Sequence, residues 1–128
     1  MSLELTLLIW SVPLLFLHIG VQSGLMTRDA GKDYNAGPRD SEPALSPIAG
    51  RAKRALANYL ETLPAFIILA LAAHVTGTSN WMTQFGAIAY LAARVAYIPL
   101  YLGGVKYIRS LAYMIACAGL LMMFIALI

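Results

Sequence analysis

Arg51, Arg54, Asn58 and Glu61 are the residues whose types and spacing promise chemistry. In a helix turning about 100° per residue they fall within roughly 80° of one another, as one polar stripe. Guanidinium groups hold carboxylates and other anions through paired hydrogen bonds. A second stripe follows at Arg94, Tyr97 and Tyr101, spaced i, i+3 and i+7, with Tyr90 one turn earlier. A third opens at Arg109-Ser110 and adds Tyr113 one turn later. Two readings of these residues stand side by side. Arg51, Lys53, Lys106 and Arg109 suit interfacial anchors that snorkel towards headgroups, and Tyr101 suits an aromatic belt. Lys53 and Lys106 are assigned to that role. Glu61 and Arg94 lie too deep in apolar sequence to be anchors, and both polar glue between helices and a ligand site account for them.

The remaining polar residues carry less. His18 and His74 are each isolated, without an acidic or second histidine partner at metal-ligand spacing, so they read as satisfied structural histidines and no metal site is expected. Cys117, the one cysteine, lies in apolar sequence with nothing nearby to stabilise a thiolate, so it reads as a small packing residue.

These stripes need elements to carry them, and composition says which. Of 128 residues, 60% are hydrophobic and 12% charged, against about 25% charged in a soluble domain. A chain this short has no interior that could hide so much apolar surface from water, so lipid must cover it. The formal charge of +3 does not point to nucleic acid, because apolar spans interrupt the basic residues. Four helices are expected, over about 5–26, 51–75, 81–102 and 108–128, each long enough for a hydrocarbon core of about 30 Å. Pro13, Pro64 and Pro99 fall inside them as kinks. Residues 27–50 form a long Gly-, Pro- and Ser-rich loop, and residues 76–80 a tight uncharged turn. The first span lacks a basic leader segment and a clean small-x-small site, so it is expected to be retained.

Arg28, Lys32, Arg39, Arg51, Lys53, Arg54, Lys106 and Arg109 all flank the first and third connections, while the second connection and both termini carry no Lys or Arg. By the positive-inside rule the charged side is cytoplasmic and both termini face the other way. The fold class is therefore an all-α membrane protein: a single four-transmembrane-helix bundle over residues 1–128, expected as an integral multi-pass protein of a bacterial cytoplasmic membrane.

The pattern Arg54-x3-Asn58-x2-Glu61-x2-Pro64, preceded by Arg51, resembles the second-helix signature of the MAPEG family (membrane-associated proteins in eicosanoid and glutathione metabolism). The likeness continues at Arg94-Val-Ala-Tyr97-x3-Tyr101-Leu-Gly and at Arg109-Ser110-x2-Tyr113, and covers nearly the whole chain. It implies a homotrimer with glutathione, as cosubstrate, bound between subunits near the cytoplasmic face. Arg51, Arg54, Asn58 and Glu61 would be contributed by one subunit, and Arg94, Tyr97, Tyr101, Arg109 and Tyr113 by its neighbour. Arg109 or Ser110 matches the position that stabilises the glutathione thiolate. The partner substrate would be a hydrophobic electrophile arriving through lipid, and the activity a transferase or peroxidase. Where family members carry an arginine near the end of the first helix, this chain reads Val21-Gln22-Ser23-Gly24-Leu25-Met26-Thr27-Arg28, with only Arg28 available. A small transporter using Glu61, and a family member that binds without turnover, are the competing functions.

Overall fold

The computed structural model describes residues 1–41 and 43–128. Its elements are α1 (Leu3–Ala30), a short α2 (Lys32–Ala36), α3 (Pro47–Thr76), α4 (Trp81–Leu102) and α5 (Ile108–Leu127). All but α2 are long and apolar enough to cross a membrane. Each helix starts or stops where its local chemistry dictates. Ser2 caps α1 by accepting from the Leu5 N–H, and Ser46 caps α3 with Pro47 in its first turn. Asn80 caps α4 in a capping box with Thr83. Gly77 ends α3 at φ 68°, a left-handed turn that favours glycine.

Helix ends differ from the sequence expectation on the basic side. α1 runs on to Ala30 and α3 begins at Pro47, so the connection is shorter than residues 27–50 and contains α2. Leaving the hydrocarbon does not end a helix, and charge marks only the membrane boundary. The connection is also tied down. The Asn35 amide donates to the Ser23 carbonyl and to the Ser23 and Thr27 hydroxyls. Asp29 Oδ2 accepts from the Ser46 N–H at 2.9 Å and its hydroxyl at 2.6 Å, which joins the end of α1 to the start of α3.

At the opposite end, Glu4 is fully buried. It accepts from the Ser79 hydroxyl at 3.0 Å and from the Thr83 hydroxyl at 2.7 Å, so the first turn of α1 is pinned to the start of α4. Ser2 Oγ meets His74 Nδ1 at 3.0 Å. Between these ends Tyr59, Phe66, Tyr90 and Met123 fill the centre of the bundle. α4 and α5 touch backbone to backbone: a Cβ on Gly86 would stand 2.5 Å from the Gly119 carbonyl oxygen, and one on Gly119 2.6 Å from that of Gly86. Small residues at a crossing give this approach, and dispersion contact is what holds helices together in lipid. Trp10, Phe16, Ile68 and Leu121 point outward, as a lipid-facing surface requires. All three internal prolines lie within continuous helix.

Candidate functional site

The polar stripes of α3, α4 and α5 converge at the basic end. Arg51 Nη1 donates to the carbonyl of Leu102, the last residue of α4, at 3.1 Å. Its guanidinium also lies against Gly104, whose φ of 68° and lack of Cβ make room for it. Arg54 Nε donates to the Tyr101 hydroxyl at 3.2 Å, and the Arg109 guanidinium lies over the Tyr101 ring, 4.9 Å from its centroid. Arg51, Arg54, Tyr101, Gly104, Lys106 and Arg109 thereby line an open cleft of about 260 Å³. Among the described residues cations line it without a carboxylate, which favours anions.

A second cavity, of about 180 Å³, lies against it and is lined by Asn58, Tyr97, Arg109, Ser110, Tyr113 and Met114. Arg109 belongs to both cavities. Together they reach the size range of small-molecule sites, about 300–1,000 Å³. The outer cavity offers cations, and the inner one offers a hydroxyl, an amide, two phenols and the shared guanidinium.

Arg94 stands behind the inner cavity with no exposed surface. Its Nη1 donates to Asn58 Oδ1 at 2.6 Å. Its guanidinium lies 4.3 Å from the Tyr97 ring centroid and 5.4 Å from that of Tyr59, while among the described residues Nε and Nη2 have no hydrogen-bond partner. Because Arg94 occupies the carbonyl side of the Asn58 amide, the NH₂ of Asn58 is left as the donor for a ligand. The Tyr97 ring lies tilted against Tyr101, with ring centroids 5.2 Å apart.

Glu61 stands apart. It is exposed on the outer surface of α3 and lines neither cavity. Among the described residues it forms no ion pair, and no hydrogen bond to it is present. Pairing of Glu61 with Arg54 or Arg94 is therefore not what the chain does; Arg94 pairs with Asn58 instead. Tyr90 keeps to the Arg94 face of α4 but lies deeper, in the core: its hydroxyl meets that of Thr62 at 2.9 Å and its ring stacks on Phe66.

Sequence reasoning passed over several neighbours of the site. Lys106, expected to be an anchor, lines the outer cavity. Its place within a turn, three residues before Arg109, was the available signal. Tyr59 and His18 support Arg94 from behind. His18 is 3% exposed, stacks on Tyr59 at 4.8 Å, and keeps a buried Nε2 without a partner. Among the described residues that nitrogen finds no partner where a satisfied histidine was expected, and the α1–α3 contact meets the ring with the face of Tyr59. Tyr107, at the head of α5, holds φ 62°, an unusual value for a non-glycine residue, directly before the segment that carries Arg109. Among the described residues no cluster of three His, Cys, Asp or Glu could hold a metal ion.

Further along the same two helices an apolar groove of about 390 Å³ opens between α3 and α5, lined by Ala65, Ile68, Leu69, Leu120, Leu121 and Phe124. It begins one to two turns beyond Asn58 and Tyr113.

The two residue sets that the resemblance divides between subunits already touch within one chain, through Arg54 with Tyr101 and Arg94 with Asn58. No curated protein and no solved structure matches the chain. The profile of the MAPEG family matches residues 7–128, nearly the whole length. With its membrane-spanning helices and basic site, the chain belongs to the MAPEG family, a group associated with glutathione and membranes.

Proposed function

We propose that this protein is a glutathione-dependent transferase or peroxidase that activates the glutathione thiol for attack on a lipophilic electrophile. The observation that carries the reading is the pair of adjoining cavities sharing Arg109, one lined by cations and one by neutral hydrogen-bonding groups. Glutathione has two carboxylates, an ammonium group, two amides and a thiol. Arg51, Arg54 and Lys106 suit the carboxylates, and the Asn58 NH₂ suits an amide carbonyl. Arg109 and Ser110 are left for the sulfur. The thiolate is the nucleophile, and holding its pKa two units lower requires about 2.7 kcal/mol of preferential stabilisation, within reach of a partly buried guanidinium. Deprotonation sends the thiol proton to solvent through the open cleft. In the transferase reaction the sulfur bonds to the electrophilic carbon as that carbon's leaving group departs with its electron pair. In the peroxidase reaction the thiolate takes the terminal oxygen of a lipid hydroperoxide and releases the alkoxide, and the sulfenic acid so formed condenses with a second glutathione to give the disulfide and water. The groove between α3 and α5 suits the apolar body of that substrate.

Glu61 supports assembly. A carboxylate facing hydrocarbon costs several kcal/mol, roughly 2.5–3.5 on insertion scales, and among the described residues it has neither an ion pair nor a hydrogen bond. A second copy covers it in our reading: a homotrimer in which Glu61 of one subunit faces the site of the next and receives the glutathione ammonium. The basic side is then cytoplasmic.

Isothermal titration of glutathione into detergent-solubilised protein tests the proposal. Binding is expected for the wild type and about tenfold or more weakening in Arg54→Ala; no heat from wild type, or unchanged binding in the variant, rejects it. A second reading draws on the same exposed Glu61, as the coupling carboxylate of a small transporter. Proton-coupled uptake into liposomes that disappears in Glu61→Gln would establish that reading instead.

A further inference from the structure

A run of stacked rings and cations crosses all four long helices. His18 of α1 stacks on Tyr59 of α3 with centroids 4.8 Å apart and planes inclined at 17°. The Arg94 guanidinium of α4 lies against the same Tyr59 ring and against Tyr97. Tyr97 neighbours Tyr101, and Tyr101 lies under Arg109 of α5. The run thus connects a core histidine, remote from either cavity, to the residue both cavities share.

Its inner end is buried. Tyr59 and Arg94 have no exposed surface and His18 almost none. Tyr59 is fixed at its far end, where its hydroxyl donates to the Ser11 carbonyl at 2.9 Å. Arg94 has one hydrogen bond, to Asn58, and two unpaired nitrogens. A guanidinium with one hydrogen bond is free to rotate about it unless its faces are held. Tyr59 and Tyr97 hold them, and Asn58 and Tyr59 are consecutive on α3, so one turn of helix supplies both the acceptor and a ring. Among the described residues His18 is the ring that stacks on Tyr59.

We infer that His18 is a positioning residue for the glutathione site: by stacking on Tyr59 it fixes the Arg94 guanidinium, and through it the orientation of the Asn58 amide. It touches no part of the substrate. The inference rests on the proposed function and names a residue that the resemblance does not. The shape and flatness of the histidine carry the effect, so His18→Phe preserves it and His18→Ala removes it.

Glutathione affinity by titration, and steady-state conjugation of 1-chloro-2,4-dinitrobenzene, give the test. His18→Ala should raise the glutathione Kd and KM about tenfold, the upper end of what one stacked ring contributes, while kcat stays within about twofold. His18→Phe should stay within about twofold of wild type in both. In an Arg94→Met background the His18→Ala effect should vanish, which a general loss of packing would not produce. Should His18→Ala fail to assemble, His18→Leu, which keeps apolar volume and loses the planar ring, carries the same expectation. Wild-type-like KM in His18→Ala or His18→Leu, or an undiminished effect in the Arg94→Met background, overturns the inference while leaving the proposed function intact. Absence of binding by the wild type overturns both.

Discussion

Arg94 and Asn58 make an asymmetric pair, and the asymmetry predicts opposite outcomes for two substitutions of similar size. Arg94 is a cation with no exposed surface, one hydrogen bond, two unpaired nitrogens and no ion-pair partner among the described residues. A buried charge held this sparingly costs more in desolvation than it recovers, so replacing it with an apolar side chain of similar length is neutral or stabilising, by up to about 4 kcal/mol. Arg94→Met keeps most of the packing against Tyr59 and Tyr97, since a thioether sits well against aromatic rings. Asn58→Leu does the reverse: it removes the sole acceptor and strands the cation, at about 3–5 kcal/mol. Thermal unfolding in a mild detergent, followed by circular dichroism, should show Arg94→Met melting at or above wild type and Asn58→Leu several degrees below. Titration should show glutathione binding weakened in both, by about tenfold or more, because a hydrogen bond to a charged group contributes about 1.5–3 kcal/mol. Arg94→Met melting below Asn58→Leu would refute the reasoning, since it would make the guanidinium a net structural asset. Arg94→Met with wild-type melting and wild-type affinity would remove Arg94 from the site altogether.

Other outcomes follow from the geometry. Gly119→Ala, which drives a methyl group to 2.6 Å from the Gly86 carbonyl oxygen, should lower stability by about 1–3 kcal/mol as overpacking does, read as a lower melting temperature. Thr83→Val removes the 2.7 Å hydroxyl from buried Glu4, and should cost about 1–3 kcal/mol; a melt unchanged from wild type would show that Glu4 does not depend on it. Tyr107→Gly relieves a positive φ and should raise the melting temperature by an amount equivalent to about 1 kcal/mol. Lys106→Ala should raise the glutathione Kd by up to about fivefold, less than Arg54→Ala, because exposed ion pairs contribute at most about 1 kcal/mol.

The architecture was largely legible because lipid imposes a simple rule: each apolar run had to be long enough to cross, and all four were. Charge was a poorer guide to helix ends, since Arg28 and Asp29 leave the hydrocarbon while the helix continues to Ala30. The Ser46-Pro47 start of α3 is written in capping chemistry, which a reading by charge overlooks. Within the site, the helical spacing brought Arg54, Asn58 and the α4 and α5 residues to one end of the bundle. Two things were hidden. Tyr59, adjacent to Asn58, turns about 100° away from it into the core, so its contact with Arg94 depends on how α3 meets α4. Among the described residues Glu61 has no ion pair or hydrogen bond, and a single sequence does not say what another copy would bring.

The backbone contact at Gly86 and Gly119 has a mechanical meaning. Two helices locked at carbonyl distance cannot slide or part without breaking their closest packing, so α4 and α5 move as a single plate. That plate carries Arg94, Tyr97, Tyr101, Arg109, Ser110 and Tyr113, while α3 carries Arg51, Arg54 and Asn58. Widening of either cavity to admit a ligand is then a displacement of the plate relative to α3, with the tight turn at residues 77–80 as its hinge. The hydrogen bonds of Arg51 to Leu102 and Arg54 to Tyr101 are the latch that such a displacement must first release.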